Sequence, residues 1–317
     1  MERLGDQARR ASQAWLERTQ PSGLSRQVGR AVAWAAQHRV VRPQSDGGAS
    51  PVVVVGGTTL GGAGRTAVVQ WLAAAAVAAG ARVAVVGHGY RARRFGRVPP
   101  GGHADFGDDA SLLAVALPGV WVETGPRAAV ARRLARSHDL VFTDGGLLDP
   151  TVQAGRVIAV CDASSSPLVV PAGPARVRVA DLPGTVAVWA HRVDEPTARP
   201  VARAEVRSRV VGLGLRDLQG RRRPLAWLQG RAVRPACAIG RPGSFLETLR
   251  GLGALPGDPL VRADHGRFRP GECPPDDGRP WVITTKDAAR WPPGWPALVL
   301  ETSLAVEGRL PGLPPWD

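Results

Sequence analysis

Residues 52–66 read Val-Val-Val-Val-Gly-Gly-Thr-Thr-Leu-Gly-Gly-Ala-Gly-Arg-Thr. The valine run predicts a buried strand, the glycines a tight turn, and Arg65-Thr66 the opening of a helix. A strand, a glycine turn and a helix start present bare backbone N–H groups and a positive helix end, which suits a phosphate. The stretch approaches a P-loop. Gly64-Arg65-Thr66 stands where Gly-Lys-Thr is expected, and Thr59 occupies the position of the motif's first glycine. A competing pattern shares these residues, because Gly62-Ala63-Gly64-Arg65-Thr66-Ala67 also fits the dinucleotide fingerprint G-x-G-x-x-A. That fingerprint wants an acid at the end of the second strand, about 20 residues on. Val86, Gly87 and His88 stand there instead. Arg91 could meet a 2′-phosphate, which keeps an NADP site open.

Outward from the turn, the chain alternates. A helix is expected over about 65–79, a strand at Val83–Val86, a loop at 96–102, a helix around 108–117 and a strand at Val120–Glu123. A helix over roughly 126–137 and strands at Leu140–Thr143 and Val157–Cys161 follow. Apolar strands alternating with helices predict an α/β fold of the P-loop type, a mostly parallel sheet flanked by helices. Later segments predict a smaller α/β C-terminal lobe. Val201–Val211 and Arg231–Ile239 read as strands, residues 244–251 as a helix, and Trp281–Thr284 as a strand feeding a short helix from Asp287. The expected divisions are 1–50, a basic helical segment; 51–190, the nucleotide-binding core; and 191–317, the C-terminal lobe.

Within the first segment Leu24, Val28, Ala31 and Ala35 recur at helical spacing, with Arg26, Arg30 and Gln37 opposite. Such a helix either lies on an anionic membrane surface or packs on the domain core. The chain of 317 residues carries a formal charge of +14, so its surface should attract anionic partners. Nucleic acid is not expected among them, since the tryptophans are scattered rather than interleaved with basic residues. Lys286 is the only lysine; every other basic side chain of that pair is arginine. Cys161, Cys237 and Cys273 are odd in number and lack metal-ligand spacing, which favours a reducing compartment over a disulfide scaffold. The N-terminus opens with charge and has no apolar h-region. The longest low-polarity stretch, Val68–Ala81, is shorter than the roughly 20 residues a bilayer span needs. A soluble or peripheral cytoplasmic protein is the expectation.

Further motifs follow in order: Gly87-His88-Gly89-Tyr90, Phe106-Gly107-Asp108-Asp109-Ala110, Thr143-Asp144-Gly145-Gly146-Leu147, Pro171-Ala172-Gly173-Pro174, Ile239-Gly240-Arg241-Pro242, Ala263-Asp264-His265 and Thr284-Thr285-Lys286-Asp287-Ala288. Together with the glycine turn, this series resembles the tetraacyldisaccharide 4′-kinase family of lipid A biosynthesis, from about residue 51 to 290. Each motif alone is weak, but their shared order is specific. The resemblance implies ATP- and Mg²⁺-dependent phosphorylation of the 4′-hydroxyl of an acylated disaccharide lipid at the cytoplasmic face of the inner membrane. It implies that Thr59, Leu60, Gly61, Gly62, Ala63, Gly64, Arg65 and Thr66 bind the nucleotide. It assigns Asp108 as catalytic base with His265 as its partner, and Thr66, Asp109 and Asp144 to Mg²⁺. Tyr90 and Lys286 match further family motifs. Asp162 also ends an apolar strand, so strand-end position alone does not choose between it and Asp144. Read as residues alone, Asp108 could also be a helix N-cap.

The chain departs from the family pattern at several of these places. Arg65 replaces lysine, Gly145 replaces an acid, Leu148 and Asp149 replace Gln-His, Gly87 and His88 replace Ser-Arg, and Thr285 replaces Glu. Guanidinium is planar and forked where ammonium is compact, so the exchange at 65 is not conservative. Two outcomes fit: an arginine that fills the role, or a relative whose nucleotide handling has decayed.

Overall fold

The computed structural model describes residues 22–44, 50–90, 92–269, 277–310 and 313. Arg91, Cys273 and the basic segment before residue 22 lie outside the described residues. The described chain forms two compact units, and it passes between them near residues 209/210 and 305/306.

The larger unit contains α1 (Gly23–Gln37), β1 (Val52–Gly57), α2 (Arg65–Ala78), β2 (Val83–Gly87), β3 (Gly96–Arg97), α3 (Asp108–Ala116) and β4 (Trp121–Thr124). It continues through α4 (Arg127–Leu134), β5 (Leu140–Asp144), β6 (Arg156–Asp162), β7 (Ala187–His191) and the start of β8 (Ala204–Asp217). Its strands lie in the order β8-β7-β6-β1-β5-β2-β4-β3. All pairings are parallel except the short β3–β4 pair. β1 is buried along its whole length, as its valine run requires of a strand covered on both faces. α2 buries Val68, Val69, Leu72, Ala73 and Ala76.

The strand order disposes of the dinucleotide alternative. A dinucleotide fold pairs the first strand with the second. Here β5 lies between β1 and β2, with Val55 of β1 in register with Asp144 of β5. The carboxylate that ends β5 therefore stands beside the glycine turn that ends β1.

The smaller unit contains the rest of β8, then β9 (Arg222–Arg223), β10 (Ala232–Cys237), α5 (Pro242–Gly251), β11 (Leu255–Pro256), β12 (Leu260–Val261), β13 (Trp281–Thr284), α6 (Thr285–Ala288) and most of β14 (Ala297–Gly308). β10, β13 and β14 pair in parallel, with β11 and β12 along the far side of β10. One face of this sheet packs on Phe245 and Leu249 of α5, the other on Phe268, Trp291 and Trp295. Burial pushes the Cys237 thiol up to about 12, with Asp287 adding to the effect, so this cysteine is core rather than nucleophile.

One expectation needs correction, and one open choice is narrowed. The division expected at 190/191 falls near 209/210, because β7 and the first residues of β8 extend the larger parallel sheet. β7 is a continuous apolar run and the start of β8 alternates, and it is the pairing of β7 with β6 and of β8 with β7 that shows which sheet they join. In α1, the stripe open to either a membrane surface or core packing is exposed: Leu24 by 71% and Val28 by 43%, with Trp34 beside them at 66%. The opposite face packs instead, through Gly29, Ala33 and Ala36. A Cβ on Gly29 would lie 2.9 Å from the Val169 carbonyl oxygen, so small residues let the helix approach closely.

Candidate active site

The glycine turn between β1 and α2 is a backbone structure. Gly61, Gly62 and Gly64 have φ values of 68°, 63° and 83°, a region that side chains disfavour. Gly64 occupies the N-cap of α2 in the left-handed conformation, and no side chain caps the helix, so its first N–H groups face the turn. The Pro-Ala-Gly-Pro motif has a mechanical role. The Leu60 N–H donates to the Pro174 carbonyl at 2.8 Å, and the Arg176 N–H to the Thr58 carbonyl at 2.7 Å. Thr59 is buried and its hydroxyl donates to the Gly61 carbonyl at 3.4 Å; Ala63 is buried and Leu60 half-exposed.

His191 packs beneath Gly64, where a Cβ would lie 2.2 Å from the imidazole Cδ2. The ring's Nδ1 lies 3.0 Å from Ser208 Oγ, which also accepts the Trp189 indole N–H at 2.7 Å. Gly64→Ala should therefore destabilise the unit by about 3 kcal/mol, from left-handed backbone strain plus overpacking. A melting temperature lowered by roughly 6–12 °C is the expected calorimetric result.

Asp144 and Asp162 now separate. Thr66 donates its hydroxyl to Asp144 Oδ2 at 2.8 Å. Asp144 is fully buried, and its Oδ1 has no hydrogen-bond partner. The nearest cation is Arg65, whose Nε lies 3.9 Å from Oδ1. A buried carboxylate oxygen left in this state suits a bound cation. Asp162 is spent on structure. It accepts from Ser164 N–H and hydroxyl, and it holds Arg192 at 2.7 Å, which in turn donates to the Gly62 carbonyl at 2.7 Å. Among the described residues no group of three or more His, Cys, Asp or Glu side chains is placed to hold a metal ion. The Thr66 hydroxyl and the Asp144 carboxylate are hard oxygen donors of the kind that would suit Mg²⁺.

Around this pair gathers positive charge that the sequence did not announce. The Arg65 side chain runs over Gly57, where a Cβ would lie 3.0 Å from its Cδ, and reaches Gly145, where a Cβ would lie 3.0 Å from its Nη1. Arg127 and His88 border the same spot, at 3.3 and 3.4 Å from that Cβ position. Arg127 also pairs with Asp149 at 3.4 Å. Burial lowers the basicity of Arg176, and the charges of Arg65 and Arg127 lower it further. Burial likewise holds His88 below the usual imidazole range, assisted by Arg65 and Arg127 and opposed by Asp144 and Asp109. Guanidinium groups crowded enough to perturb one another form a strong field for an anion. Arg127, Arg176 and Arg192 follow strand ends or cross beside them, the edge at which open α/β sheets bind ligands. That rule is the one signal that could have found them.

Asp108 is the first residue of α3, not its cap; Gly107 holds the cap position with φ 90°. Asp108 and Asp109 are both half-buried in the first turn, where the helix end favours carboxylates. A Cβ on Gly107 would lie 3.0 Å from the Tyr90 carbonyl oxygen, and one on Gly87 2.7 Å from Ala110 Cβ. The motif 87–90 thus lies against the start of α3. Tyr90 is half-exposed, with its ring 6.0 Å from that of His88.

In the smaller unit, His265 and Lys286 meet. The Lys286 ammonium lies 3.3 Å from Asp264 Oδ1 and 3.5 Å from His265 Nε2. Asp287, fully buried, accepts from the Ala238 N–H at 3.1 Å, the Thr284 hydroxyl at 2.6 Å and Arg290 at 2.9 Å. Burial raises the Asp287 pKa against the pull of these partners.

Residues 23–310 match the family described as Tetraacyldisaccharide-1-P 4′-kinase. A tetraacyldisaccharide 4′-kinase from Methylobacterium sp. (strain 4-46) is 34% identical over 303 residues, covering 90% of this chain and 89% of that one. The enzyme of the same name from Azoarcus sp. (strain BH72) is 32% identical over 266 residues, 81% of this chain and 78% of that one. Among solved structures, the LpxK of Aquifex aeolicus, crystallised in complex with ATP, superposes with a TM-score of 0.67 at 19% identity, covering 88% of this chain and 93% of that one. That likeness establishes the fold, and the matched motifs with the near-full-length sequence identity establish descent: the chain belongs to the tetraacyldisaccharide 4′-kinase family.

Proposed function

We propose that this chain transfers the γ-phosphoryl group of ATP to the 4′-hydroxyl of a tetraacyldisaccharide 1-phosphate. The observation that carries the reading is the Thr66–Asp144 pair at 2.8 Å, set beside the glycine turn and ringed by Arg65, Arg127 and Arg176. Backbone N–H groups from Gly61 to Thr66 hold the phosphates. Thr66 and Asp144 hold Mg²⁺, which when bound screens the charge of the transferring phosphoryl group. Arg65 supplies a guanidinium to the same oxygens. Asp108 accepts the proton of the sugar hydroxyl as that oxygen forms its bond to phosphorus, and the bond from phosphorus to the bridging oxygen breaks to release ADP. His265, in the other unit, is assigned to the same proton transfer on the resemblance alone. Asp109 is the remaining carboxylate proposed for the metal. Purified protein with ATP, Mg²⁺ and the acylated disaccharide 1-phosphate should yield the bisphosphorylated lipid and ADP in equal amounts. ATP consumption without lipid product would overturn the reading.

The acceptor is a lipid, and α1 offers a means of meeting its membrane. No helix among the described residues is long and apolar enough to cross a bilayer. The exposed stripe of Leu24, Val28, Ala31 and Trp34, flanked by Arg26 and Arg30, suits the surface of an anionic leaflet at the cytoplasmic side. Vesicles containing anionic lipid should carry the protein upward in flotation. Leu24→Glu with Trp34→Glu should lower the bound fraction several-fold without loss of ATP binding, since both side chains are mostly exposed among the described residues.

A further inference from the structure

Lys286 is the single lysine in the chain, yet its side chain is only 17% exposed. It does not serve as a solvated surface charge. The ammonium lies 3.3 Å from Asp264 Oδ1 and 3.5 Å from His265 Nε2, while Asp264 Oδ2 lies 3.6 Å from the same Nε2.

The backbone fixes this three-way meeting. His265 has φ 63°, a conformation that non-glycine residues seldom adopt, and its N–H donates to the Ala238 carbonyl at 3.1 Å. The turn closes through the Gly266 N–H to the Ala263 carbonyl at 2.7 Å. On the other side, the N–H of the same Ala238 donates to Asp287, the residue after Lys286. Both segments are thus anchored on one residue at the end of β10. Charged groups at the ring include Asp264 on its own turn and Lys286 on α6, while Asp287 and Arg290 bond to the Ala238 backbone.

We propose that Lys286 is a positioning residue that fixes His265 as the Nδ1–H tautomer. Asp264 alone would draw a proton onto Nε2, because a carboxylate accepts but cannot donate. An ammonium at the same corner is a donor without acceptor capacity. It engages Asp264 Oδ1 and faces Nε2, where a second N–H would oppose it. The stable arrangement keeps the Nε2 lone pair toward Lys286 and places the ring proton on Nδ1. The imidazole then presents one defined N–H away from this corner. A compact tetrahedral ammonium meets both partners from one point, which the planar fork of a guanidinium does not. That difference accounts for a lysine held here in a chain that otherwise uses arginine.

The tautomer is read by ¹⁵N NMR on protein labelled in its histidine side chains, with His265 assigned by comparison with His265→Gln. At pH above the imidazole titration, the wild type should show a protonated Nδ1 and an unprotonated Nε2. Lys286→Met should move the proton to Nε2, and Lys286→Arg should fail to restore the original pattern. A protonated Nε2 in the wild-type protein would overturn the proposal, and so would a His265 spectrum indifferent to Lys286→Met. The wild-type measurement needs no variant to fold. A kinetic arm rests on the kinase reading above: Lys286→Met should lower kcat roughly tenfold with the KM for ATP unchanged, since the nucleotide is held elsewhere. Absence of turnover in the wild type would defeat the kinase reading and leave the tautomer result standing.

Discussion

Asp108→Asn is expected to reduce turnover by roughly 10²–10⁴ while ATP affinity stays within about twofold. The amide has nearly the shape of the carboxylate but cannot accept the proton of a sugar hydroxyl. Asp108 opens α3, where loop 87–90 and the end of β2 pack closely against it. An isosteric change should leave that packing intact. The groups proposed to hold the phosphates are the backbone of residues 61–66 with Arg65, and none of them is altered. Turnover by radiolabelled ATP and nucleotide binding by calorimetry, measured on one preparation, check the two halves together. Full activity in the variant would remove Asp108 as the base. Lost ATP binding would make it a structural residue instead.

Arg65→Ala should lower kcat by roughly 10²–10³, the cost of removing one charged group from a transferring phosphoryl site. Arg65→Lys should also lose activity, by roughly tenfold, although it restores the residue found elsewhere in the family. The reason is steric. The guanidinium lies over the ends of β1 and β5, and a Cβ on Gly145 would stand 3.0 Å from its Nη1. Gly145 replaces an acid of the family motif, so the larger cation and the missing side chain belong together. A lysine would leave that space unfilled and place its charge short of the guanidinium position. Arg65→Lys combined with Gly145→Asp should recover part of what the single change loses, an interaction that a double-mutant cycle measures. A turnover higher than wild type in Arg65→Lys alone would show that the arginine is damage rather than adaptation.

The two exchanges also illustrate how far residues can be read one at a time. At positions 65 and 145 the sequence displays two separate departures, 80 residues apart. Their relation is visible only because β5 pairs directly with β1. Sequence order likewise favoured Asp144 over Asp162, but hydrogen bonding gave the reason. Asp162 is consumed by Arg192 and Ser164, while Asp144 keeps a buried oxygen unused.

By itself the chain determined what local chemistry can specify. A valine run must be buried on both faces, glycines at 61, 62 and 64 allow a turn with positive φ, and an alternation of strands and helices closes into a parallel sheet. Family motifs in fixed order carried the assignment of chemistry, because each is a short contiguous string. The tertiary structure decided whatever depends on residues distant in sequence. It set the order of strands that excludes a dinucleotide fold and the gathering of Arg127 and Arg176 around Arg65. It chose the face of α1 that packs, and it brought the lone lysine against His265. Those outcomes follow from long-range pairing and side-chain volume, which local periodicity does not encode.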